Sequence, residues 1–361
     1  MIRVLNIVGG MSCGGAETMI MNLYRNIDRM RIQFDFFLVN TGVSYYEPEI
    51  EKLGGRIFVT SKRSQNLFKY CKDLFYTIKK YNYNVVHIHT SHVSSSLIPA
   101  VISFMAGARI RICHSHNTQC KPIWLHKIFR PFLNLFLTKR LACGEMAGKW
   151  MYGNHKKFEI LPLPVDCKKF EFSDSERKRQ REELNITNEF VIGHVGRFEY
   201  QKNHEYLIDI FADIVGVTEN VKLVLIGDGN LKENIRNKIK KLNLEDKIIF
   251  TGVIKDVYNK MNAFDCILFP SYYEGFPTVI LEAQANGLPC FISDTITKEI
   301  KLTDLVYFLP LSNDKELWRR AIFTSMKNET DRKKYNSIIA EKYDVKIVSS
   351  RLQRIYENKS I

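Results

Sequence analysis

No Cys-x-x-Cys pair occurs in this 361-residue chain, and its eight cysteines (13, 71, 113, 120, 143, 167, 266 and 290) lack the Cys/His spacing of a zinc site. Several sit inside apolar runs, which reads as buried free thiols in a reducing compartment. Long hydrophobic runs are also missing. The longest, Leu97 to Ala108, contains Pro99 and stops at Arg109, too short to span a bilayer. The opening MIRVLNIVGG has one early Arg and a very short apolar stretch, so it lacks the h-region of a signal peptide and reads as a first strand. No internal repeat and no low-complexity tract interrupts the chain.

Acidic residues are scarce in one half only. Residues 1–170 hold 24 Lys+Arg against 10 Asp+Glu, whereas residues 171–361 hold 29 of each, so the whole net charge of +14 lies in the first half. A basic half attracts something anionic, such as phosphate, nucleic acid or an acidic lipid surface. The basic stretches carry no recognisable nucleic-acid module, which ranks nucleic acid last.

What is present is an alternation. Short β-rich runs at Val4–Val8, Phe34–Val39, Arg56–Thr60, Val85–His89 and Arg109–His114 are separated by segments of helical spacing. The second half repeats this with Val191–Val195, Val221–Ile226, Lys247–Phe250, Cys266–Phe269 and Pro289–Ser293. Such alternation predicts βαβ units, and the length predicts two doubly wound parallel sheets in tandem. The charge-dense stretch Ser173–Glu183, after Pro162 and Pro164, reads as the linker, dividing the chain into domains 1–170 and 171–342.

The segment FPSYYEGFPTVILEAQANGLPCFISD, Phe269–Asp294, is the most informative. A strand ends at Phe269, a loop carries Glu274, Gly275 and Phe276, Pro277 sits where a first helical residue is favoured, and Gly287 is placed to end the helix. Free N–H groups of Phe276, Thr278 and Val279 would then face the mouth of a parallel sheet, an anion site suited to a diphosphate. Glu274 precedes the helix and Glu282 lies about one and a half turns inside it, so the two carboxylates meet different parts of one ligand. A capping glutamate and an exposed helical one would have the same sequence.

In VIGHVGRFEYQKN, Val191–Asn203, a strand ends at Gly196 and is followed by Arg197 and Lys202. Two cations on one strand-end loop can clamp a pyrophosphate, although a solvated surface pair is the plainer reading of the pair alone. Gly9-Gly10 and Gly14-Gly15-Ala16-Glu17 make a glycine-rich turn after the first strand, without the GxGxxG spacing of a dinucleotide site. Ile226-Gly227-Asp228-Gly229 suits a nucleotide-facing turn. His87, His89, His92, His114 and His116 gather at two strand ends. No Asp/Glu set accompanies them, so polar contacts to substrate are favoured over metal.

Together, Gly14–Glu17, Gly196-Arg197 with Lys202, Gly227-Asp228-Gly229, and Glu274 with Glu282 in an E-x7-E arrangement resemble glycosyltransferase family 4, over nearly the whole chain. The resemblance implies a GT-B fold, two Rossmann-like domains facing across a cleft, and an enzyme of the exopolysaccharide or capsule type. It implies retaining transfer from a nucleotide sugar, UDP rather than GDP, to a lipid-linked or oligosaccharide acceptor. Arg197 and Lys202 would hold the diphosphate, with Gly275, Phe276 and Thr278 beside it. Glu282 would hold the ribose hydroxyls and Glu274 the donor sugar. His116 would touch the sugar near the reacting carbon, and Gly15 would approach the phosphates or the acceptor. The terminal helix, 343–361, would cross back to the first domain.

Two departures stand out. Cys113-His114-Ser115-His116-Asn117 has Asn where many members have Asp, which leaves His114 as a substitute for His116, and Leu163-Pro164 replaces the usual Asn-Gly before the linker. No Asp-x-Asp pair is present, the arrangement that holds a divalent ion on the diphosphate in metal-dependent sugar transferases. The chain is therefore expected to need no cofactor and no metal, with the leaving phosphate taking the acceptor's proton on the same face of the sugar.

Lys121–Arg140, KPIWLHKIFRPFLNLFLTKR, interleaves aromatic and basic residues, and Lys62–Lys80 is similar. Such stretches suit an anionic membrane surface, or else are core-facing helices with basic outer faces. A cytoplasmic enzyme, peripheral at the inner face of the cell membrane, is the expectation. Two alternatives use the same residues: a sugar-nucleotide epimerase of the same fold, and a non-catalytic nucleotide-sugar-binding partner of another transferase.

Overall fold

The computed structural model describes residues 1–11, 14–39, 45–90, 92–116, 123–328 and 330–358; Cys13, Cys120 and Lys121 lie outside them. The chain forms two compact units, Met1–Pro164 with Tyr343–Ile361, and Val165–Lys342.

The first unit is built on seven parallel strands: β1 (Ile2–Val8), β2 (Ile32–Leu38), β3 (Ile57–Val59), β4 (Val85–Thr90), β5 (Ile110–Ser115), β6 (Lys139–Ala142) and β7 (Glu159–Ile160), ordered β3-β2-β1-β4-β5-β6-β7. The second has six: β8 (Phe190–Val195), β9 (Val221–Ile226), β10 (Ile248–Gly252), β11 (Cys266–Phe269), β12 (Cys290–Ser293) and β13 (Val306–Leu309), ordered β10-β9-β8-β11-β12-β13. Both orders reverse direction beside the first strand of their unit, the place where doubly wound sheets bind ligands. The inner strands β2, β4, β9, β11 and β12 are almost wholly buried, as in sheets covered on both faces, whereas the edge strands β3, β7 and β13 are partly open. Leu5, Ile88, Cys113 and Tyr152 lie in the first core, and Ile192, Leu225, Leu268 and Trp318 in the second.

Several expectations are corrected. Ser173–Glu183 is not a linker: Asp174–Glu183 is a helix whose start is capped by Ser173 Oγ, which accepts from Glu176 N at 3.3 Å. Its basic face is what ties it to the second unit. Arg177 donates to Asp265 and to the carbonyls of Asn262 and Phe264, and Arg181 pairs with the same Asp265. The division between units falls at Pro164, so residues 165–170 belong with the second. Strands β6, β7 and β13 were not anticipated: none is a wholly buried run of the kind that marked β11 and β12. Lys121–Arg140 is also not one helix. The helix is Ile123–Phe136, and Lys139 and Arg140 enter β6, where Arg140 Nε donates to Asn134 Oδ1 at 2.8 Å.

The last helix, Val345–Tyr356, is started by Asp344, whose carboxylate accepts from Lys346 N at 2.9 Å. It buries Val348, Leu352, Ile355 and Tyr356 in the first unit. Among the described residues, six cysteines are free thiols, and no helix is long and apolar enough to cross a membrane.

Candidate active site

In the second unit, chemistry collects where β8 and β11 end. After β8 the chain passes through Gly196, Arg197 and a short 3-10 turn, Tyr200–Lys202, then enters helix His204–Val215 through Asn203 at φ 54°. Asparagine tolerates that left-handed conformation, and Asn203 Nδ2 anchors it on Pro270 O at 3.1 Å. This turn aims Lys202 Nζ at Glu274 Oε1, 2.7 Å away, while Gln201 Nε2 donates to Glu274 Oε2 at 3.1 Å. Lys202 also lies over the Phe269 ring, 4.6 Å from its centroid. The two side chains keep only 18% and 9% of their surface exposed, so their attraction is weakly screened. Arg197 behaves differently: its side chain is 65% exposed and pairs with Glu199 at 2.9 Å. The structure thus brings Lys202 and Glu274 together and leaves Arg197 on the outside.

The glycine turn after β9 serves this loop directly. Gly227 has φ 139°, and a Cβ there would stand 2.1 Å from Gly196 O. Only glycine permits that approach, and it lets Phe198 N donate to Asp228 O at 3.0 Å and Leu231 N to Phe198 O at 2.9 Å. Asp228, expected in a nucleotide-facing turn, instead pairs with Lys232 at 3.2 Å.

Helix Thr278–Ala285 follows β11 one residue later than expected, with Pro277 as its N-cap and no side-chain cap. A proline lacks the oxygen that would close a cap, so the N–H groups of Gly275, Phe276, Thr278 and Val279 make no hydrogen bond among the described residues. Open amides and the positive end of the helix dipole together favour an anion. Glu282 lies on this helix, half-buried, and its carboxyl has no partner among the described residues. Burial pushes that carboxyl up to about 7.

The first unit carries a different cluster. Register pairs His89 of β4 with His114 of β5, and the two-residue period of a strand sets His87 and His116 on the same face. Four imidazoles form an array: His87–His89 and His114–His116 centroids are 4.0 and 4.2 Å apart, and His87–His114 and His89–His116 stack at 5.6 and 5.5 Å. Burial lowers all four. His116 is pushed down to about 4, and His87, His89 and His114 go well below the usual value, with neighbouring rings adding to the shift. The rings are therefore neutral at physiological pH.

Ring nitrogens of His87, His89 and His114 lie within 4.8 Å of one another, close enough to be considered as a metal set. His87 Nδ1 is engaged with Tyr356 Oη at 2.7 Å, and His89 with His116 Nε2 at 3.2 Å and Asn6 Oδ1 at 3.1 Å. A metal would need His89 to give up either His116 or Asn6. His92, the fifth histidine, is the N-cap of helix Val93–Met105 without a side-chain cap bond and stands apart from the array.

Gly15 opens helix Gly15–Asn26, whose N-cap, Gly14, has no side chain to close it. A Cβ at Gly15 would meet nothing within 4 Å among the described residues. The sequence did not single out Asn6 or Tyr356. A polar residue amid the apolar Val4-Leu5-Asn6-Ile7-Val8 was the one available signal for the first, and nothing local marks the second.

Comparison with known proteins also divides the chain in two, with the boundary between residues 169 and 176. The family model for "Glycosyltransferase Family 4" matches residues 13–169, and that for "Glycosyl transferases group 1" matches residues 176–342. EpsF of Bacillus subtilis (strain 168), named a glycosyltransferase, is 35% identical over 89% of this chain and 86% of its own length. An Escherichia coli protein, the UDP-Gal:alpha-D-GlcNAc-diphosphoundecaprenol alpha-1,3-galactosyltransferase, is 29% identical over 61% of this chain and 60% of its own. In three dimensions the chain is similar to Anabaena HepE, solved in complex with UDP, with a TM-score of 0.83 at 19% identity over 99% of this chain and 100% of that one. With both halves matched in order, on two parallel sheets of the GT-B kind, the chain belongs to glycosyltransferase family 4.

Proposed function

We propose that this glycosyltransferase moves a sugar, with retention of configuration, from a UDP-sugar to a lipid-linked glycan acceptor in cell-surface polysaccharide synthesis. It does so without a metal. The observation that carries the reading is the Lys202–Glu274 pair beside an uncapped helix start, with an unpartnered Glu282 on the same helix. The diphosphate binds to Lys202, Arg197 and the amides of Gly275, Phe276 and Thr278. Glu282, once ionised, accepts hydrogen bonds from the ribose hydroxyls, and Glu274 from the donor sugar. His116 meets the sugar near its reacting carbon, and Gly15 leaves space for phosphates or acceptor.

As the bond between the anomeric carbon and the diphosphate breaks, negative charge grows on the phosphate. Lys202, Arg197 and the helix start stabilise it, which is the work a divalent ion would otherwise do. The freed phosphate oxygen takes the proton of the attacking acceptor hydroxyl on the same face. The E. coli relative's name supplies the precedent for UDP and for a diphospholipid acceptor.

Membrane docking through the first unit belongs to the same proposal. Helices Leu67–Lys80, Val93–Met105 and Ile123–Phe136 pack side by side. They leave Phe68 (79% exposed), Tyr76, Phe104, Trp124, Phe132 and Leu135 (75%) in solvent. With the basic surplus of this half, that face suits an anionic lipid surface. Binding should favour anionic over neutral vesicles and weaken with salt; equal binding to both would refute it.

The deciding experiment incubates the purified protein with UDP- and GDP-sugars in EDTA, with and without membrane lipid extract, beside Glu282→Ala and Lys202→Ala. Nucleotide release from one UDP-sugar that rises with extract and is lost in both variants is expected. Release that needs added manganese would overturn the metal-free reading. A changed sugar with no acceptor present would indicate an epimerase. No release under any condition, with UDP still bound, would indicate a non-catalytic partner.

A further inference from the structure

The histidine array can be read at the level of single protons, because one end of it is fixed. Asn6 Nδ2 faces two carbonyl oxygens, Val4 O at 3.4 Å and Asp35 O at 3.3 Å, so its Oδ1 is the atom turned to His89 Nε2 at 3.1 Å. A flipped amide would set oxygen against two carbonyls. An amide oxygen only accepts, which puts the hydrogen on His89 Nε2. The ring is neutral, since burial and the neighbouring His87 and His116 disfavour its charge, and His89 Nδ1 is therefore bare. The 3.2 Å contact between His89 Nδ1 and His116 Nε2 is then a hydrogen bond only with His116 Nε2 as donor. That leaves His116 Nδ1 as a bare lone pair, buried and without a partner among the described residues.

We propose that Asn6 and His89 are positioning residues that hold His116 in its Nε2–H form, so that Nδ1 accepts a hydrogen bond from a hydroxyl of the donor sugar. The second half rests on the transferase reading above, in which His116 meets the sugar. It deepens that reading by assigning the group that His116 contacts: a free hydroxyl of the sugar, not a carboxylate. A carboxylate at that place would set its own lone pairs against the bare nitrogen, with no proton between them. An acceptor buried without a partner is unfavourable, and an arriving hydroxyl removes that penalty. The sequence of contacts Asn6–His89–His116 runs from β1 through β4 to the end of β5, three neighbouring strands, so the sheet itself sets the alignment.

The test uses the full chain, uniformly labelled with 15N, with histidine ring nitrogens correlated to ring protons at pH 7.5 and His116 assigned by comparison with His116→Gln. The expected spectrum shows His116 protonated on Nε2 and bare on Nδ1. Asn6→Leu should let His116 populate the Nδ1–H form and lower kcat roughly tenfold while the KM for the nucleotide sugar stays within about twofold. His116 protonated on Nδ1 in the wild type would overturn the proposal. So would both nitrogens of the 3.2 Å contact proving bare with a stoichiometric zinc ion present, which would make the rings metal ligands. Among deoxy analogues of the donor, one should lower kcat in the wild type with no further loss in His116→Gln; the absence of any such analogue would overturn the hydroxyl assignment. An Nε2–H spectrum with unchanged transfer in His116→Gln would instead leave the relay standing and remove His116 from the donor.

Discussion

The two sheets end in opposite chemistries. At the ends of β4 and β5 the first unit gathers four neutral imidazoles, every one lowered by burial. At the ends of β8 and β11 the second unit gathers charge: Lys202 on Glu274, Arg197 on Glu199, and a carboxyl that burial holds near 7. Neutral rings with bare lone pairs suit hydroxyls, whereas cations and open amides suit phosphate. The same doubly wound plan thus serves two kinds of ligand by changing which side chains stand at the strand ends, and the contrast can be broken from either side.

The largest effect is expected at Lys202. Lys202→Ala should cut transfer by roughly 10²- to 10³-fold by removing the cation that meets the departing phosphate. It should also cost about 3 kcal/mol of stability, because Glu274 then stays nearly buried without its partner. Adding Glu274→Gln should recover most of the stability and none of the activity. Denaturant unfolding and donor turnover measured on the two variants check both halves, and recovered activity would show that the pair is structural.

Glu282 should give a pH signature. Its folded-state value, about 7, lies above that of a free carboxyl, so ionising it costs stability as pH rises from about 4.3 to 7. Ribose hydroxyls favour the ionised form, so UDP affinity should rise from pH 6 to pH 8. In Glu282→Gln the affinity should be weak and flat across that range. Calorimetric titration with UDP at three pH values reads this directly.

The histidine array should respond with the opposite sign. Its folded-state values lie below the ordinary 6.5, so the unfolded chain takes up protons first and stability is lost as pH falls from 6.5 toward 4. His116 alone should contribute up to about 3 kcal/mol of that loss. The slope of stability against pH should shrink in His114→Phe, which removes one of the depressed groups. The smallest effect belongs to Arg197. Arg197→Ala should leave stability unchanged within about 0.5 kcal/mol, since its pair is exposed. The KM for the donor should rise by roughly five- to tenfold.

How far the sequence reached differs along the same line. The second unit's site was legible because its signals are local: a strand end, a helix start and two glutamates eight residues apart lie within one segment, Phe269–Glu282. Pro277 marked the helix start to within one residue, since proline both favours that end and cannot cap it. The Lys202–Glu274 pair joins residues 72 positions apart and could not be read from either loop. In the first unit the histidines were visible, but their order was not. Asn6 and Tyr356 reach the array through strand pairing and through a helix from the far end of the chain, contacts with no local signature. Ser173–Glu183 misled because its charges look like solvated linker, while two of its arginines are spent on Asp265 and on buried carbonyls.

The division of labour between the units is tested most directly by titrating UDP, in EDTA, into the wild-type protein, Glu282→Ala and His116→Ala. Expected is one UDP per chain in the wild type, binding lost in Glu282→Ala, and binding kept within about twofold in His116→Ala even as sugar transfer falls. UDP bound undiminished by Glu282→Ala, or lost in His116→Ala, would contradict it.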